Sequence, residues 1–472
     1  MNVLFLTSEL AGYFKAGGLA DVSAALPKAL RDRGVDARIL MPFYGDSPQW
    51  KPALNFDARL EGMAEIPPCD VAVAETPDGT PGFFLICPAL YQRPGTPYTD
   101  VARDDWPDND LRFARLALAA VQLISGEADA AWVPDLLHAN DWPGALAAAY
   151  LKWRQIAVPC LFTVHNLAYQ GLFDVERMAG LGIPPSAFSM HGVEFHGRLS
   201  FMKAGLFYAD HVTTVSPTYA REITTEEFGS GLHGLLRALR DSGKLTGILN
   251  GAGEEWTPER DKSLIQTYPP RIKESKHRNA AWLRETTGLQ KAKRPLFVMV
   301  SRLVHQKGVD LALAAVETIA AGGGQFFLLG EGEPALEKLA ADTVTRFPGS
   351  AAANIAFDET LSRRTIAASD FYLMPSRFEP CGLNQMYAER YGSLPIAHAT
   401  GGLVDSIRDG ETGFLFSGAT PDALRDAIIR ALNVYIRPGQ LTGMRRAAMA
   451  LDFGWGPAAA KYEDLYTRLL AH

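Results

Sequence analysis

Short apolar runs alternate with helical stretches along this chain, and the alternation occurs in two successive series. In the first half the expected strands are Val3–Thr7, Ala37–Met41, Phe83–Ile86, Leu161–Val164 and His211–Val215. Helical stretches such as Leu111–Ile124 and Ala145–Arg154 lie between them. A second series begins near Pro295, with strands Leu296–Val300, Phe326–Leu329, Ile355–Phe357, Phe371–Met374 and Pro395–Ala397, and helices such as Val309–Ala321 and Leu424–Leu432. Wholly apolar strands must be covered on both faces, so the pattern predicts an α/β fold with parallel sheets. At 472 residues the chain exceeds one ordinary core, and two Rossmann-like domains facing each other across a cleft are expected. The expected divisions are 1–250, 251–456 and a helical segment 457–472 that packs back on the N-terminal domain. The charged, Pro- and Gly-rich stretch 250–294 reads as the hinge. Such domains bind nucleotides at the carboxyl ends of their strands.

Composition narrows the partners. Apolar content of 47% with 21% charge describes a globular chain. A formal charge of −7 argues against nucleic acid as the main partner. Cys69, Cys87, Cys160 and Cys381 show no CxxC spacing, which points to a reducing compartment and no zinc site. Met1 leads directly into an apolar strand and no run approaches the ~18 residues of a membrane span. A cytoplasmic location without a membrane partner is therefore expected.

The most chemically loaded segment is Ser376-Arg377-Phe378-Glu379-Pro380-Cys381-Gly382-Leu383. It follows the Phe371–Met374 strand and precedes an amphipathic stretch from Asn384 to Tyr391. A helix start offers unpaired N–H groups to a phosphate. A carboxylate beside a phosphate site suits a reaction in which a cationic centre forms next to an anionic leaving group, as in glycosyl transfer from a sugar nucleotide. Thr400-Gly401-Gly402 is a second candidate phosphate turn. Cys381 beside a helix start could be a reactive thiol, although a small lining residue is the preferred reading.

Three further segments end strands. Lys15-Ala16-Gly17-Gly18-Leu19-Ala20-Asp21 combines paired glycines with a cation, which lets backbone N–H groups approach an anion. Arg302 and Lys307, in Ser301–Gly308, could neutralise a diphosphate. His165 and Asp141 stand at the ends of strand-like runs, where Asp141 has the alternative reading of a helix N-cap. Asp108-Asn109-Asp110 has the DxD spacing of metal-dependent transferases, but it sits where a helix start favours acidic residues. No metal or cofactor is expected.

Together these segments resemble the bacterial glycogen synthase and plant starch synthase family. The family's opening lysine-x-glycine-glycine-leucine appears as Lys15 to Leu19. Thr163–Gly171, Lys203–Leu206, Tyr208–Asp210, Val215–Ala220, Ser301–Gly308 and Pro375–Leu383 follow in order. The resemblance implies a GT-B arrangement, with an acceptor-side domain 1–250 and a nucleotide-sugar domain 251–456. It implies retaining transfer of glucose from ADP-glucose to the non-reducing end of an α-1,4-glucan. Lys15, Gly17 and Gly18 would lie against the donor, with Asp21 setting that loop, and Asn250 would also be on the donor side. His165 would lie beside the transferred glucose, and Asp141 is the second strand-end carboxylate. Arg302 and Lys307 would hold the diphosphate, and Glu379 would stabilise positive charge on the sugar. Cys381, Gly382, Leu383, Thr400 and Gly401 would contact sugar or phosphate.

The chain departs from the family's pattern in four places. Asn250-Gly251-Ala252-Gly253 lacks the usual Asp, and the following segment is about one residue short. Asn140 replaces the usual second His of His-Ala-His-Asp-Trp. His233 stands where an acidic residue is common, and His305 also departs. A related transferase with another donor, and a silent glucan binder on the same fold, are the competing readings. Intact Lys15, His165, Arg302, Lys307 and Glu379 argue against silence.

Overall fold

The computed structural model describes residues 1–127, 132–269, 273–356 and 358–471. It divides into two compact units, Met1–Gly251 with Trp455–His472, and Ala252–Gly454.

The first unit is built on a nine-stranded sheet. Its strands are β1 (Asn2–Leu6), β2 (Asp36–Pro42), β3 (Asn55–Leu60), β4 (Cys69–Glu75), β5 (Pro81–Ile86), β6 (Leu136–Asn140), β7 (Cys160–Val164), β11 (His211–Thr214) and β12 (Leu245–Gly247). A small three-stranded sheet holds β8 (Leu172–Phe173), β9 (Glu194–Phe195) and β10 (Arg198–Ser200). The large sheet runs β12-β11-β7-β6-β1-β2-β5-β4-β3, parallel from β12 to β5 and antiparallel at the β5-β4-β3 edge. Val3, Leu4, Phe5 and Leu6 are fully buried because helices cover both faces of β1. The edge strands β3 and β4 are absent from the expected set. Their short, half-polar runs, such as Asn55-Phe56-Asp57-Ala58-Arg59-Leu60, leave one face in water and carry a bulge between Phe56 and Ala58.

The second unit has a six-stranded parallel sheet ordered β15-β14-β13-β16-β17-β18. The strands are β13 (Leu296–Val300), β14 (Gln325–Leu329), β15 (Ala351–Asn354), β16 (Phe371–Met374), β17 (Leu394–His398) and β18 (Phe414–Phe416). Phe297 and Phe371 stack at 4.9 Å in its core, over Ile396, Leu424 and Ile428. The strand expected at Ile355–Phe357 lies instead at Ala351–Asn354, where Phe326 to Leu329 of β14 pair with it. An alanine run has little strand propensity, so tertiary pairing chose the register; Phe357 lies outside the described residues. The helix expected over Val309–Ala321 is broken at Ala315 into Val309–Ala314 and Val316–Ala321. The stretch 250–294, expected to be a hinge, contains a helix, Lys273–Thr287, within the second unit.

The last helix, Gly456–Leu470, belongs to the first unit. Tyr462, Leu465 and Tyr466 are buried, each worth on the order of 2 kcal/mol against exposure. Its exposed ion pair, Arg33–Glu463 at 2.6 Å, is worth about 0–1 kcal/mol. The apolar face therefore holds the helix. His138 of β6 completes the anchor, with Nδ1 2.7 Å from the Tyr466 hydroxyl and Nε2 2.7 Å from Thr163 Oγ1.

Candidate active site

In the second unit β13 and β16 are neighbours, so the loops leaving their carboxyl ends emerge side by side. The β13 loop runs through Ser301 and Arg302 into a 3-10 turn, His305–Lys307, and turns at Gly308 into the helix Val309–Ala314. Gly308 has φ +67°, and a Cβ there would overlap the carbonyl of Pro375. This position requires glycine on both counts. The β16 loop carries Ser376 and Glu379. Lys307 Nζ lies 2.6 Å from Glu379 Oε2, which also accepts from Ser376 Oγ at 3.0 Å. Backbone ties join the loops further: Arg377 N donates to Gln306 O, and Arg377 also grips Asp310 through both Nη atoms.

Arg302 is exposed, and its guanidinium has no partner among the described residues. The two cations expected to face a diphosphate thus differ: Lys307 is paired with a buried carboxylate, Arg302 is available. Cys381 is buried, and its carbonyl and that of Gly382 accept from Gln385 Nε2. The N–H groups of Gly382 and Leu383 donate to no described residue. The helix that follows, Asn384–Arg390, spans only seven residues, so these individual N–H groups matter more than a helix dipole. Thr400-Gly401-Gly402 packs against the same loop. A Cβ on Gly401 would overlap the carbonyl of Glu379, and Gly402 N donates to that oxygen at 3.1 Å. His398, which the motif reading missed, donates Nδ1–H to Ser376 O at 2.8 Å and so braces the Glu379 loop. Its position one residue past Ala397, at the end of a strand, was the only available signal.

The first unit holds the other candidates. Lys15 Nζ bonds both carboxylate oxygens of Asp21, at 2.6 and 2.8 Å. Glu9 was also missed, and it fixes this glycine loop: Oε2 accepts the N–H groups of Ala16 and Gly17, each at 2.7 Å, and Oε1 accepts the Tyr98 hydroxyl at 2.6 Å. Burial raises the Glu9 carboxyl above the usual range despite these donors. A buried Glu closing a strand, in Thr7-Ser8-Glu9, was the signal to follow.

Asp141 and His165 lie close together. Asp141 follows β6 with φ +52°, a left-handed conformation that Asp tolerates better than most residues. It sits in the first turn of the helix Asp141–Gly144 and gives that helix no side-chain cap, so the N-cap reading is corrected. Burial pushes its carboxyl up to about 8, countered by backbone hydrogen bonds from Asn166, His165 and Trp142, while Glu9 pushes the same way as burial. One of its oxygens, Oδ1, has no hydrogen-bond partner among the described residues. His165 directly follows β7, and burial pushes its imidazole down to about 3. Asn250 is buried, and its Oδ1 has no hydrogen-bond partner among the described residues.

The DxD segment is engaged elsewhere. Asp108 pairs with Arg93 through both oxygens, and Asp110 pairs with Arg177 at 2.5 Å. At Gly253, where the family's pattern has Asp, another carboxylate fills the space. A Cβ at Gly253 would overlap the Glu255 carboxylate, which turns back into that space. Arg390, half-buried, donates to Gly253 O at 2.6 Å and feels Glu255 electrostatically. Trp256, two residues beyond Glu254, stacks on Tyr387 at 4.0 Å with Arg363 over its other face at 4.1 Å.

The starch synthase catalytic domain family matches residues 2–238, and the group 1 glycosyl transferase family matches residues 294–434. The chain is 50% identical to a glycogen synthase of Pseudomonas syringae over 99% of its length and 96% of the relative's. It is 48% identical to one of Pseudomonas aeruginosa, covering 99% and 91%. Among solved structures it resembles the catalytic domain of starch synthase IV from Arabidopsis thaliana bound to ADP and acarbose. There the TM-score is 0.89 and the identity 33%, over 100% of this chain and 99% of that one. A sucrose-phosphate synthase from Thermosynechococcus elongatus, at 20% identity and TM-score 0.63, shows the shared fold alone. Sequence likeness over essentially the whole length, with the Lys15 and Glu379 loops built as described, places this chain in the glycogen and starch synthase family of GT-B glycosyltransferases.

Proposed function

We propose that the protein transfers glucose from ADP-glucose to the non-reducing end of an α-1,4-glucan, with retention at the anomeric carbon. The observation that carries this reading is the Glu379 loop: a buried carboxylate paired with Lys307, beside two open backbone N–H groups. In the reaction the anomeric C–O bond to the β-phosphate breaks and ADP leaves with the electron pair. The acceptor hydroxyl oxygen bonds the same carbon, and its proton passes to a phosphate oxygen of ADP. Arg302 and Lys307 stabilise the charge growing on the leaving phosphate, and Glu379 stabilises cationic character on the sugar. Gly382, Leu383, Thr400 and Gly401 hold sugar and phosphate, while Cys381 lines the site. Lys15, Gly17 and Gly18, braced by Asp21 and Glu9, together with Asn250, serve the donor from the first unit. His165 and Asp141 serve the transferred glucose.

Same-face substitution is the favoured route, since it needs charge stabilisation without a second carboxylate nucleophile. The reaction so written uses no metal and no cofactor, and the enzyme works in the cytoplasm without nucleic acid or membrane. Among the described residues no helix is long and apolar enough to cross a membrane. The test is nucleotide release from ADP-glucose and UDP-glucose, with and without glycogen. Glycogen-dependent ADP release with label entering polymer supports the reading. Absence of glucan-dependent release from either donor, with donor binding intact, overturns it.

A further inference from the structure

Asn140 is the last residue of β6, next to the strained Asp141, and its side-chain amide makes three contacts. Nδ2 lies 3.1 Å from Leu6 O and 3.4 Å from His138 O, and Oδ1 lies 2.9 Å from His165 Nε2. Two carbonyls on one side fix which way the amide points. The flipped amide would set its oxygen against both of them. Oδ1 therefore faces the imidazole, and an amide oxygen only accepts. His165 must carry its hydrogen on Nε2. Nδ1 has no hydrogen bond among the described residues.

From this geometry we propose that Asn140 is a positioning residue that locks His165 as the neutral imidazole with hydrogen on Nε2, so that Nδ1 presents a bare lone pair to a sugar hydroxyl. The inference deepens the proposed function and rests on its placement of His165 beside the transferred glucose. It assigns polarity to that contact: the hydroxyl donates and His165 accepts, so His165 neither protonates the leaving group nor binds phosphate through Nδ1.

The groups around the ring agree. Asp141 and Glu9 are the nearby carboxyls, both raised by burial, so neither supplies a firm charge that would hold an imidazolium. His138, the next ring on β6, is itself neutral between Tyr466 and Thr163. The Lys15–Asp21 pair on the glycine loop is internally neutralised. The family's usual histidine at position 140 titrates, and an amide does not. Asn140 thus makes the lock independent of pH.

The experiment uses the full chain with histidine labelled at both ring nitrogens, and His165→Gln assigns the resonance. The expected spectrum shows His165 with hydrogen on Nε2 and no titration from pH 5 to 8. Asn140→Asp keeps an oxygen acceptor but makes it anionic. The ring should then gain a proton with a midpoint at or above its ordinary value of about 6.5, and kcat should acquire an acid limb absent from the parent. Asn140→Ala should lower kcat roughly tenfold, the loss of one hydrogen bond, with KM for ADP-glucose moving less. Hydrogen on Nδ1, ordinary titration of His165 in the parent, or an Asn140→Asp profile identical to the parent's would each overturn the inference. If the parent releases no nucleotide with glucan, the synthase reading fails, while the ring spectrum still decides the tautomer.

Discussion

Lys307 Nζ and Glu379 Oε2 stand 2.6 Å apart with the carboxylate buried and the lysine mostly covered. The same cation that would neutralise a leaving phosphate therefore already holds the anion that would face the sugar. Replacing Glu379 by Gln keeps the shape and the Ser376 contact but removes the charge. The expected result is a loss in kcat on the order of 10²–10³, with ADP affinity nearly unchanged by calorimetry. Near-normal kcat would refute the role given to Glu379.

Arg302 and Lys307 should separate in stability measurements. Arg302 has no partner among the described residues, so Arg302→Ala should leave the Tm unchanged while lowering kcat and raising KM for ADP-glucose. Lys307→Ala strands a buried carboxylate and should cost about 1–3 kcal/mol in stability as well as activity. Equal effects of the two on Tm would contradict the pairing.

Asp141 carries a pH signature. Burial pushes its carboxyl up to about 8 in the folded chain, from an ordinary value of 3.8. The folded state holds a proton that the unfolded state releases at lower pH. Its contribution is complete below about pH 4 and is lost as pH rises towards 8. Asp141→Asn keeps a residue that tolerates the left-handed backbone. It should raise the Tm more at pH 8.5 than at pH 5, as scanning calorimetry would register. A gain of the same size at both pH values would place the carboxyl in its ordinary range.

His138 and His165 act in the opposite sense. Both rings are held neutral, pushed down to about 3 from 6.5. Their contribution is present above pH 6.5 and fades as pH falls towards 3. Protonating His138 places a charge in the buried contact with Tyr466, so hydrogen exchange in the helix Gly456–Leu470 should accelerate on acidification. Tyr466→Phe should cost about 1 kcal/mol at neutral pH and weaken that response.

The Glu255 carboxylate fills the space at Gly253 and acts electrostatically on Arg390. Glu255→Ala should destabilise by about 0.5–1 kcal/mol, as expected for an exposed acid. Gly253→Asp should be harmful in the parent, where Glu255 fills the space, and restorative in the Glu255→Ala background. A double-mutant cycle on unfolding free energies reads this sign change; additive effects would dismiss the substitution.

Parallel strands with continuous apolar runs were legible, as at Val3–Leu6 and Leu296–Val298, because burial on both faces demands them. The shorter or more polar Leu136–Asn140, Leu245–Gly247 and Phe414–Phe416 were not legible. The edge strands Asn55–Leu60 and Ala351–Asn354 were not, since their pairing partners decide them and their residues do not. Among candidate site residues, the Lys307–Glu379 and Lys15–Asp21 contacts join residues that separate motifs or motif ends had singled out. Glu9 and His398 escaped notice because their importance lies in which backbone atoms they reach, across 7 and 22 residues.

By itself, the sequence determined the α/β alternation in two series and the charged loops that end its strands, because periodicity and glycine placement are local properties. Its ordered motifs also carried the family resemblance. Only the tertiary structure decided which charges are spent and which remain. It gave Lys307 to Glu379, left Arg302 available, turned Glu255 into the space at Gly253, and set Asn140 against His165. Each of these depends on a hydrogen bond or an overlap of a few ångströms between chain segments, and such distances exist only once the sheets have assembled.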